Sequence, residues 1–214
     1  MDSMRDVSQR STEWFQARCG RVTASRIADV VAQTKSGWSA SRDRYMGQLI
    51  AERLTQRPAE SYTSTAMQWG IDNEPAAVEA YEAITLSVVE PAGFFVHPNI
   101  TLAGASPDGL VGDEGLVEIK APETHTHLDT LIAANNPRRD PIQSKYRLQM
   151  QWQMACTGRK WCDFVSYDPR LSPELQLWTQ RVERDEALIA ELEGKVMDFL
   201  EELEKRVEAL RSYK

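Results

Sequence analysis

The stretch ASPDGLVGDEGLVEIKAP, residues 105–122, decides the fold. Its apolar pairs Leu110-Val111 and Leu116-Val117 flank Gly112-Asp113-Glu114-Gly115, a loop with glycines where positive φ is needed, and the whole reads as a short β-hairpin. Side chains two apart on a strand share a face. Glu118 and Lys120 therefore point one way and Val117 and Ile119 the other, while pairing brings Asp108 back across from Glu118. Two carboxylates converging on one point repel unless a cation sits between them, and hard oxygen ligands suit Mg2+ or Mn2+. A lysine beside such an ion holds or deprotonates water. The D…ExK constellation is that of metal-assisted phosphodiester hydrolysis. Acid and lysine alternating on an exposed strand more often form a solvated ion pair. Here the Ser-Pro-Asp-Gly-Leu lead-in and a second candidate acid, Glu74, favour the catalytic reading.

Upstream, Ser11 or Thr12 caps a helix that runs through Trp14, Phe15 and Arg18 and stops at Cys19-Gly20. A second helix begins at Thr23 or Ser25, with Ile27, Val30 and Val31 on its buried side. Arg18, Thr23, Ser25 and the free amides of that helix start can face one anion; plain capping by Thr23 or Ser25 is the simpler reading of the residues alone. Helices are predicted over 41–55 and 64–84, the second carrying Pro75, where a kink or a break is expected. Glu74 directly precedes that proline. Short strands around Val88-Val89, 93–97 and 102–105 read as an antiparallel meander leading into the hairpin.

Downstream, 121–142 reads as an irregular or partly helical crossover, followed by a helix over 145–157 that ends at Gly158. Gln149 and Gln153 share one face of it, with Tyr146 nearby. Amides on a face set against a metal site can position water or lysine. Strands are predicted over 161–167 and 175–182, and a terminal helix over 186–212 has Ile189, Leu192, Val196, Phe199, Leu203 and Leu210 at 3-4 spacing. The expectation is one α/β domain over 1–214 with a mixed central β-sheet flanked by helices and a long C-terminal helix.

Composition narrows the function classes. A chain of 214 residues, 42% of them hydrophobic, is long enough to bury a sizeable core. No apolar run of membrane-spanning length occurs and the first residues open no signal peptide, so a cytoplasmic protein without membrane contact is expected. Three cysteines lack CxxC or zinc-ligand spacing and read as reduced, buried small hydrophobes. His97, His125 and His127 form no helical i,i+4 pair, and the last two read as solvated loop residues. A net charge of −7 argues against non-specific coating of nucleic acid. It leaves room for a nuclease, whose metal-binding acids lower the total. Bases are concentrated locally instead, at Arg138, Arg139, Lys145 and Arg147.

Seven stretches recur in order along nearly the whole chain: E-W-F-Q-A-R-C-G-R-V-T-A-S at 13–25, W-G-x-x-x-E ending at Glu74, A-S-P-D-G-L around Asp108, L-V-E-I-K-A-P around Glu118 and Lys120, Q-M-Q-W-Q-M from Gln149, Y-D-P-R from Tyr167 and V-E-R-D-E from Val182. Together they resemble the phage lambda exonuclease, or YqaJ-type viral recombinase, branch of the PD-(D/E)xK nuclease superfamily. The resemblance implies a Mg2+-dependent exonuclease that enters at double-stranded DNA ends, degrades the 5′-ended strand and leaves a 3′ single strand for recombination. It also implies a homotrimer ring and a partner single-strand annealing protein. By position, Asp108 and Glu118 would ligate metal with the Ile119 carbonyl, two Mg2+ ions per site, with Mn2+ able to substitute. Lys120 would position or deprotonate the attacking water, and Glu74 and Gln149 would complete the site. Arg18, Ser25 and Ser106 match the positions that hold the 5′-phosphate, so the resemblance overrides the simple capping reading. Thr126 stands where the family example has an arginine, and His125, His127 or Arg139 are the candidate substitutes. An endonuclease of the same superfamily and a non-catalytic DNA-end-binding module are the alternatives.

Overall fold

The computed structural model describes residues 7–35, 37–59 and 64–213. In chain order it contains α1 (Thr12–Arg18), β1 (Val22–Thr23), a 3-10 turn at 24–26, α2 (Ile27–Val31), a small hairpin of β2 (Gln33–Thr34) and β3 (Gly37–Trp38), then α3 (Ala40–Thr55) and α4 (Thr65–Thr85). Four short strands follow, β4 (Val89–Glu90), β5 (Phe95–Val96), β6 (Ala103–Ala105) and β7 (Gly109–Val111), and then β8 (Gly115–Lys120) and α5 (Thr124–Ala134). The chain closes with α6 (Ser144–Thr157), β9 (Trp161–Tyr167), β10 (Leu177–Glu183) and α7 (Glu186–Arg211).

β8 is the middle strand of a five-stranded sheet ordered β10-β9-β8-β7-β4. It pairs antiparallel with β7 and parallel with β9, so the sheet is mixed. The β7–β8 hairpin has the expected form, with Gly109 opposite Val117 and Val111 opposite Gly115, which carries Asp108 to a position across from Glu118. Its two loop glycines serve different ends. Gly112 takes the left-handed conformation at φ +52. Gly115 does not; a Cβ there would lie 2.1 Å from the Trp161 ring, so glycine is needed for close approach.

Leu116 packs with Met150 and Met154 of α6, whereas Val117 and Ile119 pack with Ala77 and Tyr81 of α4. β8 is therefore buried on both faces, and its one acid, Glu118, points at α6. α7 crosses the other side of the molecule against α3, with the Tyr45 and Phe199 rings stacked 5.9 Å apart. Its stripe of Ile189, Leu192, Val196, Phe199 and Leu203 is buried, each side chain contributing about 1.5–3 kcal/mol. Leu210 departs from the expected series: it is 49% exposed, and Val207 closes the stripe instead.

Four further expectations are corrected. The segment 86–120 is not one meander: β4 joins β7, while β5 and β6 form a separate sheet with β1, which runs parallel to β6. Strands of two or three residues carry too little local pattern to choose a neighbour, so a remote strand takes the free edge of β6. Thr23 ends β1 and stands at the N-cap of the 3-10 turn over 24–26, but its side chain caps nothing and the α-helix begins only at Ile27. α4 runs unbroken through Pro75, held by Ala77 and Tyr81 buried against the sheet. The crossover over 121–142 is partly helical, as expected, through α5, but His127 within it is not solvated: it is fully buried, bonded to Ser166 Oγ and the Leu175 carbonyl, both at 2.7 Å. All three cysteines are free thiols, Cys156 and Cys162 buried and Cys19 partly so. Among the described residues no helix is long and apolar enough to cross a membrane.

Candidate active site

The open end of the hairpin, where β8 outruns β7, gives onto a cavity of about 500 Å³. Asp108, Ile119, Lys120, Glu74 and Gln149 line one side of it, and Arg18, Ser25 and Ser106 line the same cavity. Every residue assigned to the core of the site from the sequence is thus brought together, from six separate elements and loops, with one qualification: Glu118 lies behind the wall. It has no exposed surface, and its Oε1 accepts from Gln149 Nε2 at 2.6 Å and pairs with Lys120 Nζ, while Oε2 accepts from Gln153 Nε2 at 2.6 Å. Helical spacing places the two amides on one face of α6, and the buried carboxylate is what that face serves. Gln153 was legible as a neighbour of Gln149; its partner was not.

Asp108 Oδ2 accepts from the Ile119 backbone N–H at 2.6 Å, which ties the lead-in loop to β8. Burial, and then the Glu118 carboxylate, push the Asp108 carboxyl up to about 8. Burial lowers the Lys120 ammonium, but Glu118 and Asp108 outweigh it and hold it above the ordinary lysine value. Lys120 also lies 5.3 Å from the centre of the Tyr146 ring, a neighbour that restricts where its ammonium can go.

The opposite wall is built from α1. Trp14 Nε1 donates to Ser106 Oγ at 2.8 Å, Arg18 Nη1 approaches the same oxygen at 3.5 Å, and the Arg18 guanidinium stacks 4.0 Å over the Trp14 ring. Burial lowers Arg18 to about 10, which leaves it cationic at neutral pH. Trp14 orients both Arg18 and Ser106 and was not singled out as a site residue from the sequence; only its neighbours were. The Tyr167-Asp-Pro-Arg motif forms a nearby rim: Arg170 grips Asp168 at 2.7 and 2.9 Å, donates to the Pro122 carbonyl at 3.2 Å and covers the Trp69 ring at 4.2 Å.

The substitutes for the arginine absent at Thr126 are not in the cavity. His125 is exposed and faces Glu123 at 3.5 Å, Arg139 is exposed between α5 and α6, and His127 is engaged in the core. Thr126 itself lines a separate 20 Å³ void with Lys120, Tyr146 and Ser166. The additional cation on the cavity wall is Arg10, whose Nη2 lies 2.5 Å from Glu74 Oε2.

The donor set fits a hard divalent cation in chemistry: three carboxylates and a carbonyl, with the Asp108 carboxyl pushed up by burial first and by the Glu118 carboxylate second, a repulsion that a cation between the two would relieve. The arrangement is not yet a cage. Among the described residues no three His, Cys, Asp or Glu side chains are grouped for coordination, because Glu74 is turned to Arg10 and both Glu118 oxygens are engaged.

A mixed-sheet α/β core with an acid–lysine cavity at the end of its central hairpin defines the class, that of the nucleases that hydrolyse phosphodiesters. The model of the YqaJ-like viral recombinase domain matches residues 13–160, and the chain belongs to that family. An alkaline exonuclease from Laribacter hongkongensis is 50% identical over 94% of this chain and 96% of its own, with a TM-score of 0.84. The structure of that exonuclease in complex with dAMP superposes with a TM-score of 0.85, again at 50% identity over 94% and 96% of the two chains. A phage related exonuclease from Haemophilus somnus 129PT shares the fold, with a TM-score of 0.70 at 13% identity over 89% of this chain and 96% of that one. No curated protein matches the chain.

Proposed function

We propose that this protein is a Mg2+-dependent deoxyribonuclease that resects linear duplex DNA from its ends, removing the 5′-ended strand and leaving a 3′ single strand for recombination by annealing. The observation that carries the reading is the single cavity: the acid–lysine set of Asp108, Glu74, Lys120 and Gln149 shares it with an anion-holding set of Arg18, Ser25 and Ser106. A 5′-terminal phosphate held by the second set brings the adjoining phosphodiester to the first. The half-identical alkaline exonuclease that binds dAMP supports a nucleotide as the occupant.

In this scheme Arg18 and the Ser106 hydroxyl, braced by Trp14, hold the terminal phosphate. The Lys120 ammonium stays protonated beside Glu118 in the free protein, so its part is to donate hydrogen bonds that position water and the phosphoryl oxygen. Gln149 and Gln153 hold the Glu118 carboxylate in one orientation. Mg2+, two ions in the two-metal arrangement and replaceable by Mn2+, would be held by Asp108, Glu118, the Ile119 carbonyl and Glu74, and supplies Lewis acidity at the attacking and leaving oxygens. A homotrimer ring confines the basic surface to a channel, which reconciles the −7 net charge with DNA binding, and a single-strand annealing protein takes up the product strand.

The test is digestion of 5′-phosphorylated linear duplex with Mg2+, beside a closed circle of the same sequence. Loss of the 5′-ended strand from the linear form alone is expected. Cutting of the circle would establish the endonuclease reading, and binding to ends without strand loss the non-catalytic one. Light scattering at the 24.3 kDa monomer mass would remove the ring.

A further inference from the structure

Arg10 enters no assigned role, yet it is placed with more constraint than a surface arginine needs. Its backbone sits at φ 68, in the left-handed region that non-glycine residues adopt uncommonly. The segment is anchored on both sides. Gln9 Nε2 donates to the Ala92 carbonyl at 2.9 Å and to the Pro107 carbonyl at 2.6 Å, so the segment is pinned to the loop that presents Asp108. Ser11 then turns the chain into α1 as its N-cap. Between these anchors the Arg10 side chain extends into the catalytic cavity and meets Glu74 at 2.5 Å.

That pairing faces Glu74 away from its assigned use. A carboxylate neutralised by a guanidinium is a poor ligand for a second cation, and Asp108 and the Ile119 carbonyl alone offer too few oxygens. The pair is also breakable: the Arg10 side chain is 44% exposed and that of Glu74 27%. An arginine carries five donors, and its charge-assisted bonds to a phosphate are at least as strong as those to a carboxylate. The cavity it lines is the one in which Arg18, Ser25 and Ser106 face a phosphate.

We propose that Arg10 is a positioning residue that holds the Glu74 carboxylate out of the cation site until a DNA phosphate draws the guanidinium away. Cation loading is thereby coupled to DNA binding, and the free enzyme is kept incompletely loaded. The coupling rests on the nuclease reading above.

Calorimetric titration of Mn2+ into the full chain without DNA tests it. Arg10→Asn removes the charge with a residue that tolerates positive φ, and should tighten Mn2+ binding about 1.4- to fivefold, the range released by breaking a partly exposed ion pair. Arg10→Lys, which keeps a cation beside Glu74, should stay near wild type. In a Glu74→Gln background Arg10→Asn should change nothing, since the partner is gone. The same variant should weaken binding of 5′-phosphorylated duplex in Ca2+. Unchanged or weaker Mn2+ affinity in Arg10→Asn, or an equal gain in the Glu74→Gln background, overturns the proposal. Arg10→Gly, equally suited to φ 68, stands in if Arg10→Asn does not fold. Wild-type digestion of linear duplex in Mg2+ is run alongside: its absence defeats the nuclease reading, whereas digestion without Arg10–Glu74 coupling defeats only the latch.

Discussion

Replacing Gln153 by leucine separates two roles that α6 combines. Gln153 and Glu118 are both 0% exposed, and the amide donates to Glu118 Oε2 at 2.6 Å. Leucine is similar in size but leaves one oxygen of a buried carboxylate without a donor. A hydrogen bond to a charged group contributes about 1.5–3 kcal/mol, and no solvent reaches the site to replace it. At roughly 2–4 °C per kcal/mol for a chain of this size, Tm should fall by roughly 3–12 °C. Gln149→Leu gives the contrast. Gln149 faces the cavity, where water can take its place, and Lys120 continues to pair with Glu118 Oε1. Its stability cost should be less than about 1 kcal/mol, while misplacing Glu118 beside the reacting phosphate should slow strand loss on the order of tenfold or more. Urea denaturation and digestion of linear duplex measured on the same samples read the two effects. A Gln153→Leu protein within about 0.5 kcal/mol of wild type would refute the claim that Glu118 is a buried anion dependent on that amide.

Three other outcomes follow from the same geometry. Lys120→Ala should lower cleavage about 10²–10⁴-fold while duplex binding in Ca2+ persists, as measured by single-turnover digestion and fluorescence anisotropy. Gly115→Ala places a Cβ 2.1 Å from the Trp161 ring and should cost roughly 1–3 kcal/mol in urea denaturation, whereas Gly158→Ala, with open space but φ +74, tests backbone strain alone. Burial raises the Asp168 carboxyl, but bonds from Arg170 and Thr124 outweigh it and hold it at about 2. Its folded value is thus depressed, so its stabilisation is present above about pH 4 and lost as pH falls towards 2. Stability followed from pH 5 to 2 should fall less steeply in Asp168→Asn, and parallel curves would rule the effect out.

What the amino-acid sequence determined by itself was local. The hairpin, α6, β9 and α7 were legible because period-two and 3-4 apolar patterns and their glycine stops lie within each element. The order of acids and lysine on β8 followed from the same alternation, since side chains two apart share a face whatever the strand packs against. The phosphate-holding role proposed for Arg18, Ser25 and Ser106 was different: plain capping by Thr23 or Ser25 was the simpler reading of the 18–25 segment, and only similarity to a family of sequences favoured an anion.

Tertiary structure decided what depends on residues far apart in the chain. β1 finds β6 and β8 finds β9 across long separations; β1 and β6 are too short to carry a pattern that specifies a neighbour, and the alternation within β8 and β9 marks each strand without naming its partner. His127 reads as a solvated residue until Ser166 and Leu175 close over it. The donation of Gln153 to Glu118, the brace of Trp14 on Ser106 and the pairing of Arg10 with Glu74 are likewise contacts between distant segments. The residues at 105–122 read as a hydrolytic strand only when their alternation was taken together with the Ser-Pro-Asp-Gly-Leu lead-in and Glu74. Whether their carboxylates are open to a cation or engaged by a neighbour was settled by burial and by the partners that folding brings within about 3 Å.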